Sequence, residues 1–407
     1  MIRRPPTWPR CRSSRPRGRP RARDAPVSLL EYRLAAIVLR LVALVCRLVP
    51  VRRNRVVLAT ARLPVLEGNL LYIHDAIRRL RPDADISLEL RPYSYGLAGK
   101  LAYMLQMVRG TWLVHTSGLV VVDNAYLPVH VAPHRAATTV VQVWHATGAL
   151  KRFGADTVGG LAEPERRFLH RHYDYAVTAG EASREPWSRA LRTPLERVLA
   201  LGTPRTDGMF DTERLSAARA RVVAATPTLA DRRVVLYAPT FRGRGRRKRG
   251  TSALDGRQLR DVLPADHALV IKTHPNLDPA TQPTAGFDVV ADRGSDMNDW
   301  LAAADVLITD YSSSIFEWAL LGRPLVLLVD DLESYERDPG LYLDYRTEMI
   351  GRQVRDTQGV AEAILDGVDA SDRSAFIARN LAACDGHAAE RFVTRFMANR
   401  AQSDRAQ

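Results

Sequence analysis

The stretch Val306-Leu307-Ile308-Thr309-Asp310-Tyr311-Ser312-Ser313-Ser314-Ile315-Phe316-Glu317-Trp318-Ala319-Leu320-Leu321-Gly322-Arg323-Pro324 reads as a short buried strand, a serine turn and a helix. A helix start presents unpaired N–H groups and the positive end of the helix dipole, and small hydroxyl residues let a phosphate come close. Three consecutive serines exceed what one N-cap requires, so Ser312, Ser313 and Ser314 are candidate phosphate ligands. Glu317, one turn into the helix, is placed to accept hydrogen bonds from ribose hydroxyls. Asp310 either caps the turn or touches ligand.

Working outward, short apolar runs alternate with helical stretches. Strands are expected at Val56–Thr60, Ile86–Leu90, Trp112–Thr116, Val120–Asn124, Thr139–Trp144, Asp174–Thr178 and Arg197–Leu201, with helices near Leu70–Leu80 and Leu97–Val108. A helix and linker at Asp211–Arg233 precede a second series at Val234–Ala238, Leu269–Thr273, Asp288–Val290, Val306–Thr309 and Leu325–Val329. Such alternation predicts two α/β units with parallel sheets, whose ligands gather at the carboxyl ends of the strands.

The other strand ends carry the remaining candidates. Thr139–Trp144 runs into His145-Ala146-Thr147-Gly148-Ala149-Leu150-Lys151, where a histidine suited to accept an alcohol proton sits among small residues. Two further ends present Thr240 with Arg242 and Lys272 with His274, a donor set suited to a pyrophosphate. Gly243-Arg244-Gly245 is no dinucleotide fingerprint, because cations follow it where a helix should start. Asp83-Ala84-Asp85 precedes its strand, and neither a P-loop nor an HExxH occurs, so no metal site is expected. The cation-rich run Arg242–Arg249 is expected to be a mobile solvated loop.

The net charge of +14 is concentrated at one end: residues 1–55 hold fifteen arginines against Asp24 and Glu31. Residues 1–27, rich in Arg and Pro, are expected to be a disordered basic tail. Residues 28–53 read as an amphipathic helix with Arg33, Arg40 and Arg47 in one stripe. Spanning a bilayer would place Arg40 near its centre, at a cost of about 3 kcal/mol on insertion scales, so the helix is expected to lie on an anionic membrane surface. Packing of the same helix on the domain is the competing expectation. Cys11, Cys46 and Cys384 form no ligand or disulfide pattern, which fits a reducing compartment.

Val143-Trp144-His145, Gly202-Thr203-Pro204-Arg205-Thr206-Asp207, Tyr237-Ala238-Pro239-Thr240-Phe241-Arg242, Lys272-Thr273-His274-Pro275 and Thr309-Asp310-Tyr311-Ser312-Ser313 occur in that order. With Asp331-Leu332-Glu333-Ser334-Tyr335 and Gly340-Leu341-Tyr342-Leu343-Asp344-Tyr345, this pattern over roughly residues 140–346 resembles the CDP-glycerol glycerophosphotransferase family of teichoic-acid synthesis. The resemblance implies a GT-B-like α/β fold, two Rossmann-like domains facing a cleft, here an acceptor domain at 54–212 and a nucleotide-donor domain at 213–400. It implies a peripheral enzyme on the cytoplasmic membrane face that transfers glycerol phosphate from CDP-glycerol to a hydroxyl of a lipid-linked saccharide or polyol-phosphate acceptor, releasing CMP. CDP-glycerol is then a substrate, and no cofactor is implied.

Carried onto this chain, His145 is the candidate general base and His274 a second catalytic residue. Thr240, Arg242, Lys272, Ser312, Ser313 and Ser314 hold the donor, with Glu317 near its ribose. Thr147, Lys151, Arg205, Asp207 and Asp310 serve the acceptor or the loop framework. The histidine loop is one residue longer than the common His-Gly-Thr-Pro-Leu-Lys form, which leaves the acceptor open. Two alternatives stand beside this reading: sugar transfer from a nucleotide sugar on the same fold, and nucleic-acid binding through the basic tail, against which the near-neutral body counts.

Overall fold

The computed structural model describes residues 29–92, 97–158, 163–243, 248–251, 253–274, 277, 281–367 and 373–398. The basic tail expected at residues 1–27 lies outside them, as do residues 244–247 of the arginine-rich loop. At the base of that loop Arg242 and Arg249 exchange backbone hydrogen bonds of 2.9 and 3.0 Å.

Twelve strands form two six-stranded sheets in which every recorded pairing is parallel. The first sheet contains β1 (Arg52–Thr60), β2 (Asp85–Leu90), β3 (Ser117–Val122), β4 (Thr139–Gln142), β5 (Tyr175–Val177) and β6 (Val198–Leu199), in the order β2-β1-β3-β4-β5-β6. The second contains β7 (Arg233–Ala238), β8 (His267–Ile271), β9 (Val289–Val290), β10 (Val306–Thr309), β11 (Leu325–Leu328) and β12 (Arg352–Val354), in the order β12-β11-β10-β7-β8-β9. Their central strands are runs of Val, Leu and Ile buried on both faces, as a parallel sheet covered by helices on each side requires. Strand order reverses between β1 and β3 and between β10 and β7, so each sheet has one crevice where connections depart to opposite faces.

Three expectations change. Trp112–Thr116 is not a strand: the helix α3 runs unbroken over Leu97–Thr116 and passes directly into β3. The short, partly exposed edge strand β12 was not foreseen. The closing helix Ala388–Met397 returns to the first unit, where Phe392, Val393 and Phe396 join the core formed by β1 and the helix α2 (Gly68–Leu80). The second unit therefore ends before that helix.

The helix α1 (Leu29–Val45), continued by a 3-10 turn at Cys46–Leu48, packs one face on the first unit and leaves the other exposed. Ala35, Ala36, Leu39, Ala43 and Cys46 are buried and the helix packs on α3. Leu30, Leu34, Ile37, Val38, Leu41, Leu44, Val45 and Leu48 are exposed. At 100° per residue these eight share an arc of about 120°, and Arg33, Arg40 and Arg47 run along its border with the buried face. On α3, Leu101, Leu105 and Trp112 are exposed on one face as well. Among the described residues no helix is long and apolar enough to cross a membrane.

Candidate active site

In the second sheet the crevice between β7 and β10 is built by the residues that follow each strand. The Thr309 hydroxyl donates to the Ala238 carbonyl at 2.7 Å, and Asp310 Oδ1 accepts the Thr240 backbone N–H at 2.9 Å. Asp310 Oδ2 pairs with Arg242 at 2.9 Å, while Arg242 makes a two-pronged contact with Asp331 at 2.7 and 3.1 Å. The guanidinium also lies 5.1 Å from the ring centroids of both Tyr311 and Tyr335, which stack on each other at 3.8 Å. Burial alone would depress the Arg242 pKa, but the two carboxylates raise it above its ordinary value, fixing this brace as charged.

Against that brace the serine turn faces outward. Ser312 and Ser314 share a 2.8 Å hydroxyl contact, and the Ser314 N–H reaches Ser312 Oγ at 3.3 Å. Ser313 occupies the cap of the Ser314–Leu321 helix without a side-chain capping bond, which leaves its hydroxyl to the cavity. On neighbouring strand ends, Lys272 donates to the Asp292 carbonyl at 2.9 Å, and the His274 ring meets Phe241 edge-on at 4.8 Å. Burial, then the nearby Lys151, lowers the His274 pKa to about 4.

The first unit contributes His145 through a bend after β4. Trp144 holds a left-handed backbone (φ 50), uncommon for a bulky residue and a mark of a position held by its surroundings. Buried Asn69 supplies that hold, donating to the carbonyls of Val143 at 3.2 Å and Trp144 at 2.9 Å while its Oδ1 accepts the Arg205 N–H at 3.0 Å. His145 Nδ1 lies 3.2 Å from the Asp123 carbonyl oxygen, which can only accept, so Nδ1 carries the proton and Nε2 is left as the acceptor. Burial, then the Arg62 charge, lowers the His145 pKa to about 3, so the ring is neutral.

The two units face one another across a cleft with cavities of about 360 and 260 Å³, both bordered by His145, Thr240, His274, Ser312 and Ser313. Arg62, Arg205, Lys272 and Arg293 line the larger cavity and Lys151 the smaller, giving a surface suited to a diphosphate. The rear wall is a buried junction. Glu317 Oε1 accepts from the Thr147 hydroxyl at 2.6 Å and from Arg205, whereas Oε2 is buried with no partner. Gly148 presses on the Phe316 ring, where an added Cβ would come within 2.3 Å. Beyond it, Tyr342 N–H to Leu150 O and Arg152 N–H to Gly340 O, each 3.0 Å, stitch the histidine loop to the second unit.

A sequence profile of the family described as CDP-glycerol:poly(glycerophosphate) glycerophosphotransferase matches residues 41–398. The chain belongs to this family. It is 31% identical over 368 residues to the teichoic acid ribitol-phosphate primase of Bacillus spizizenii, covering 87% of this chain and 94% of that protein. It is 28% identical over 275 residues to the teichoic acid glycerol-phosphate primase of Bacillus subtilis, covering 65% and 70% of the two chains. Among solved structures, the wall teichoic acid polymerase TagF superposes with a TM-score of 0.70 at 20% identity, covering 92% of this chain and 96% of that one. The GT-B-like arrangement of two Rossmann-like domains is thus the fold of this glycerophosphotransferase, and the chain is a transferase of teichoic-acid biosynthesis.

Of the residues singled out in the sequence, His145, His274, Thr240, Lys272, Ser312, Ser313, Ser314, Glu317, Arg205 and Lys151 all border the cleft. Arg242 and Asp310 lie behind it as the brace, Thr147 is buried in the junction, and Asp207 is elsewhere: its carboxylate accepts the N–H groups of Ala388 and Ala389 at 2.9 and 2.8 Å, capping the closing helix. Arg62, Glu67, Asn69 and Arg293 were not anticipated. Arg62 follows β1 by two residues, so the carboxyl-end rule applied to the first strand points to it. Among the described residues no three His, Cys, Asp or Glu side chains cluster in a way that could hold a metal.

Proposed function

We propose that the protein transfers a polyol phosphate from a CDP-polyol to a hydroxyl of a lipid-linked acceptor at the cytoplasmic face of the membrane, releasing CMP. The observation that carries this reading is the opposition of His145 and the serine turn across one cavity. The acceptor oxygen forms a bond to the phosphorus that bears the polyol, the bond from that phosphorus to the bridging oxygen of CMP breaks, and the acceptor proton passes to His145 Nε2. Ser312–Ser314, His274 and Lys272 hold the diphosphate, and the surrounding cations meet the charge that develops on CMP. Arrival of the anionic donor raises the proton affinity of His145 from its low value in the empty cleft, so the base strengthens when it is needed.

The family description speaks for glycerol, and the similarity to a ribitol-phosphate primase over nearly its whole length speaks for ribitol and for addition of a first unit. The exposed apolar face of α1 beside its arginines supports a peripheral seat on an anionic bilayer. The test is mass spectrometry of the product formed with CDP-glycerol, CDP-ribitol and nucleotide sugars in parallel on a synthetic lipid-linked disaccharide. CMP release with one polyol phosphate added supports the reading; UDP or GDP release with sugar addition refutes it. His145→Ala is expected to lower kcat by about 10²–10⁴-fold.

A further inference from the structure

Beneath α1 lies a cavity of about 540 Å³, separate from the catalytic cleft, with no carboxylate among its lining residues. Its cationic wall is made by Arg40 and Arg47 from the α1 segment and by Arg167 and Arg171 from the connection that leads to β5, with His172 beside them as a neutral ring whose pKa burial lowers. Arg40 Nε donates to the Val131 carbonyl at 2.8 Å, and Arg167 stands 4.0 Å from Glu163. The guanidinium groups of Arg47 and Arg171 make no hydrogen bond or ion pair among the described residues. Four arginines brought together in this way repel one another, and nothing within the cavity offsets that repulsion.

A second observation points to the same missing partner. His115 lines the cavity at 2% exposure, and its Nε2 is buried with no hydrogen-bond partner. A buried unpaired ring nitrogen is costly unless something supplies the bond, and an anion's oxygen or hydroxyl would do so. The connection is also firmly shaped, since His170 and His172 on either side of Arg171 both hold left-handed backbones (φ 54 and 62).

The cavity rim is apolar. Ile37, Leu41 and Leu44 border it and belong to the exposed arc of α1, so one ligand would meet cations at one end and a bare hydrophobic helix at the other. This is the chemistry of an anionic lipid. We propose that this cavity is a discrete binding site for the phosphate of an anionic phospholipid, whose acyl chains run along the apolar face of α1. The inference rests on the membrane-surface reading above and adds to it a single stoichiometric site. Rings connect that site to the catalytic base: His130, which lines the cavity, lies 6.1 Å from His170, His170 5.9 Å from Trp144, and Trp144 4.4 Å from His145.

Calorimetry of the full-length protein with monomeric dihexanoyl-phosphatidylglycerol tests this. One-to-one saturation is expected, weakened about tenfold or more in Arg47→Ala/Arg171→Ala, the loss expected on removing charge-assisted bonds. Arg33→Ala/Arg52→Ala, which removes the same charge outside the cavity, should bind within about twofold of the wild type, because exposed charges at a distance are screened. Absence of saturation by the wild type, or equal losses in the two double variants, overturns the site. Inorganic phosphate binding as tightly as the short-chain lipid also overturns it, in favour of a free-phosphate site. Sedimentation with phosphatidylglycerol vesicles separates the two readings: vesicle binding without short-chain saturation defeats the site alone, and no vesicle binding defeats the membrane seat itself.

Discussion

The Thr147 hydroxyl donates to Glu317 Oε1 at 2.6 Å, joining side chains 170 residues apart, one from each unit and both fully buried. Arg205 completes the contact from the first unit. Glu317→Ala strands the Arg205 charge at the junction and is expected to lower unfolding stability by about 3 kcal/mol, whereas Thr147→Val removes the bond to Glu317 and a longer one from Arg205 Nε and costs about 2 kcal/mol. Urea unfolding curves check both. If either variant unfolds at the wild-type midpoint, this contact does not couple the units.

Much of this arrangement was legible in the sequence because strand-end residues in a parallel sheet must converge. His145, Thr240, Lys272, His274 and Ser312–Ser314 each follow an apolar run, and the fold places all of them on one cleft. What escaped notice depended on long-range packing. Trp112–Thr116 has strand composition, yet the helix continues through it because β3 starts at Ser117 and takes the sheet position itself. Asp207 sits beside Arg205 in sequence, but its carboxylate is committed to a helix nearly two hundred residues away. Arg242 has the charge of a phosphate ligand, and only the structure shows two aspartates already claiming it.

Buried histidines weaken the fold in acid. Burial lowers the pKa of His130 and His145 to about 3 and of His115, His170 and His274 to about 4, from an ordinary 6.5. Between those values and 6.5 the unfolded chain binds more protons, so these groups stabilise the fold fully above pH 6.5 and lose that effect as pH falls toward 4 and 3. The buried carboxyls of Glu67 and Asp123, raised chiefly by burial, act in the opposite sense. A variant isolates one contribution: His115→Gln should show a smaller fall in Tm than the wild type from pH 6.5 to pH 4.5. Parallel Tm curves would contradict the assignment.

The exposed arc of α1 contributes little to the fold, so its removal should separate membrane binding from stability. Leu30→Ser/Leu34→Ser/Val38→Ser is expected to weaken vesicle partitioning by at least about tenfold, since each side chain offers on the order of 1 kcal/mol or more of apolar burial. Tm should fall by no more than a few degrees, because these side chains are 42–64% exposed and bury only part of their surface in the protein. A large Tm loss would mean that the arc is covered by protein instead.

Gly148→Ala tests why the histidine loop needs a glycine. The added Cβ would meet three atoms of the Phe316 ring at 2.3–2.5 Å, and that ring is fully buried at the start of the Ser314–Leu321 helix. Overpacking of this kind costs about 1–3 kcal/mol and moves backbone, here the loop that carries His145. A lower kcat is expected, partly restored by Phe316→Leu. Equal kcat in Gly148→Ala and the double variant would show that the ring is not what the glycine avoids.

Arg242 distinguishes a brace from a ligand. Its Nε and Nη groups reach Asp331, Asp310 and Thr240, and it borders neither cavity of the cleft, so the prediction concerns geometry and stability rather than direct donor contact. Lysine keeps the charge but has no fork to span two carboxylates. Arg242→Lys is therefore expected to lose about 2 kcal/mol of stability through the impaired Asp331 contact. Its kcat should fall as the Asp310–Thr240 link loosens, while KM for the CDP-polyol changes by less than about threefold, because positioning lost without direct binding lowers kcat more than it raises KM. The double variant Arg242→Lys/Asp331→Asn removes one of the two carboxylates and should recover part of the stability but not the rate. A KM increase of tenfold or more at unchanged stability would instead make Arg242 a phosphate ligand that moves into the cleft when the donor binds.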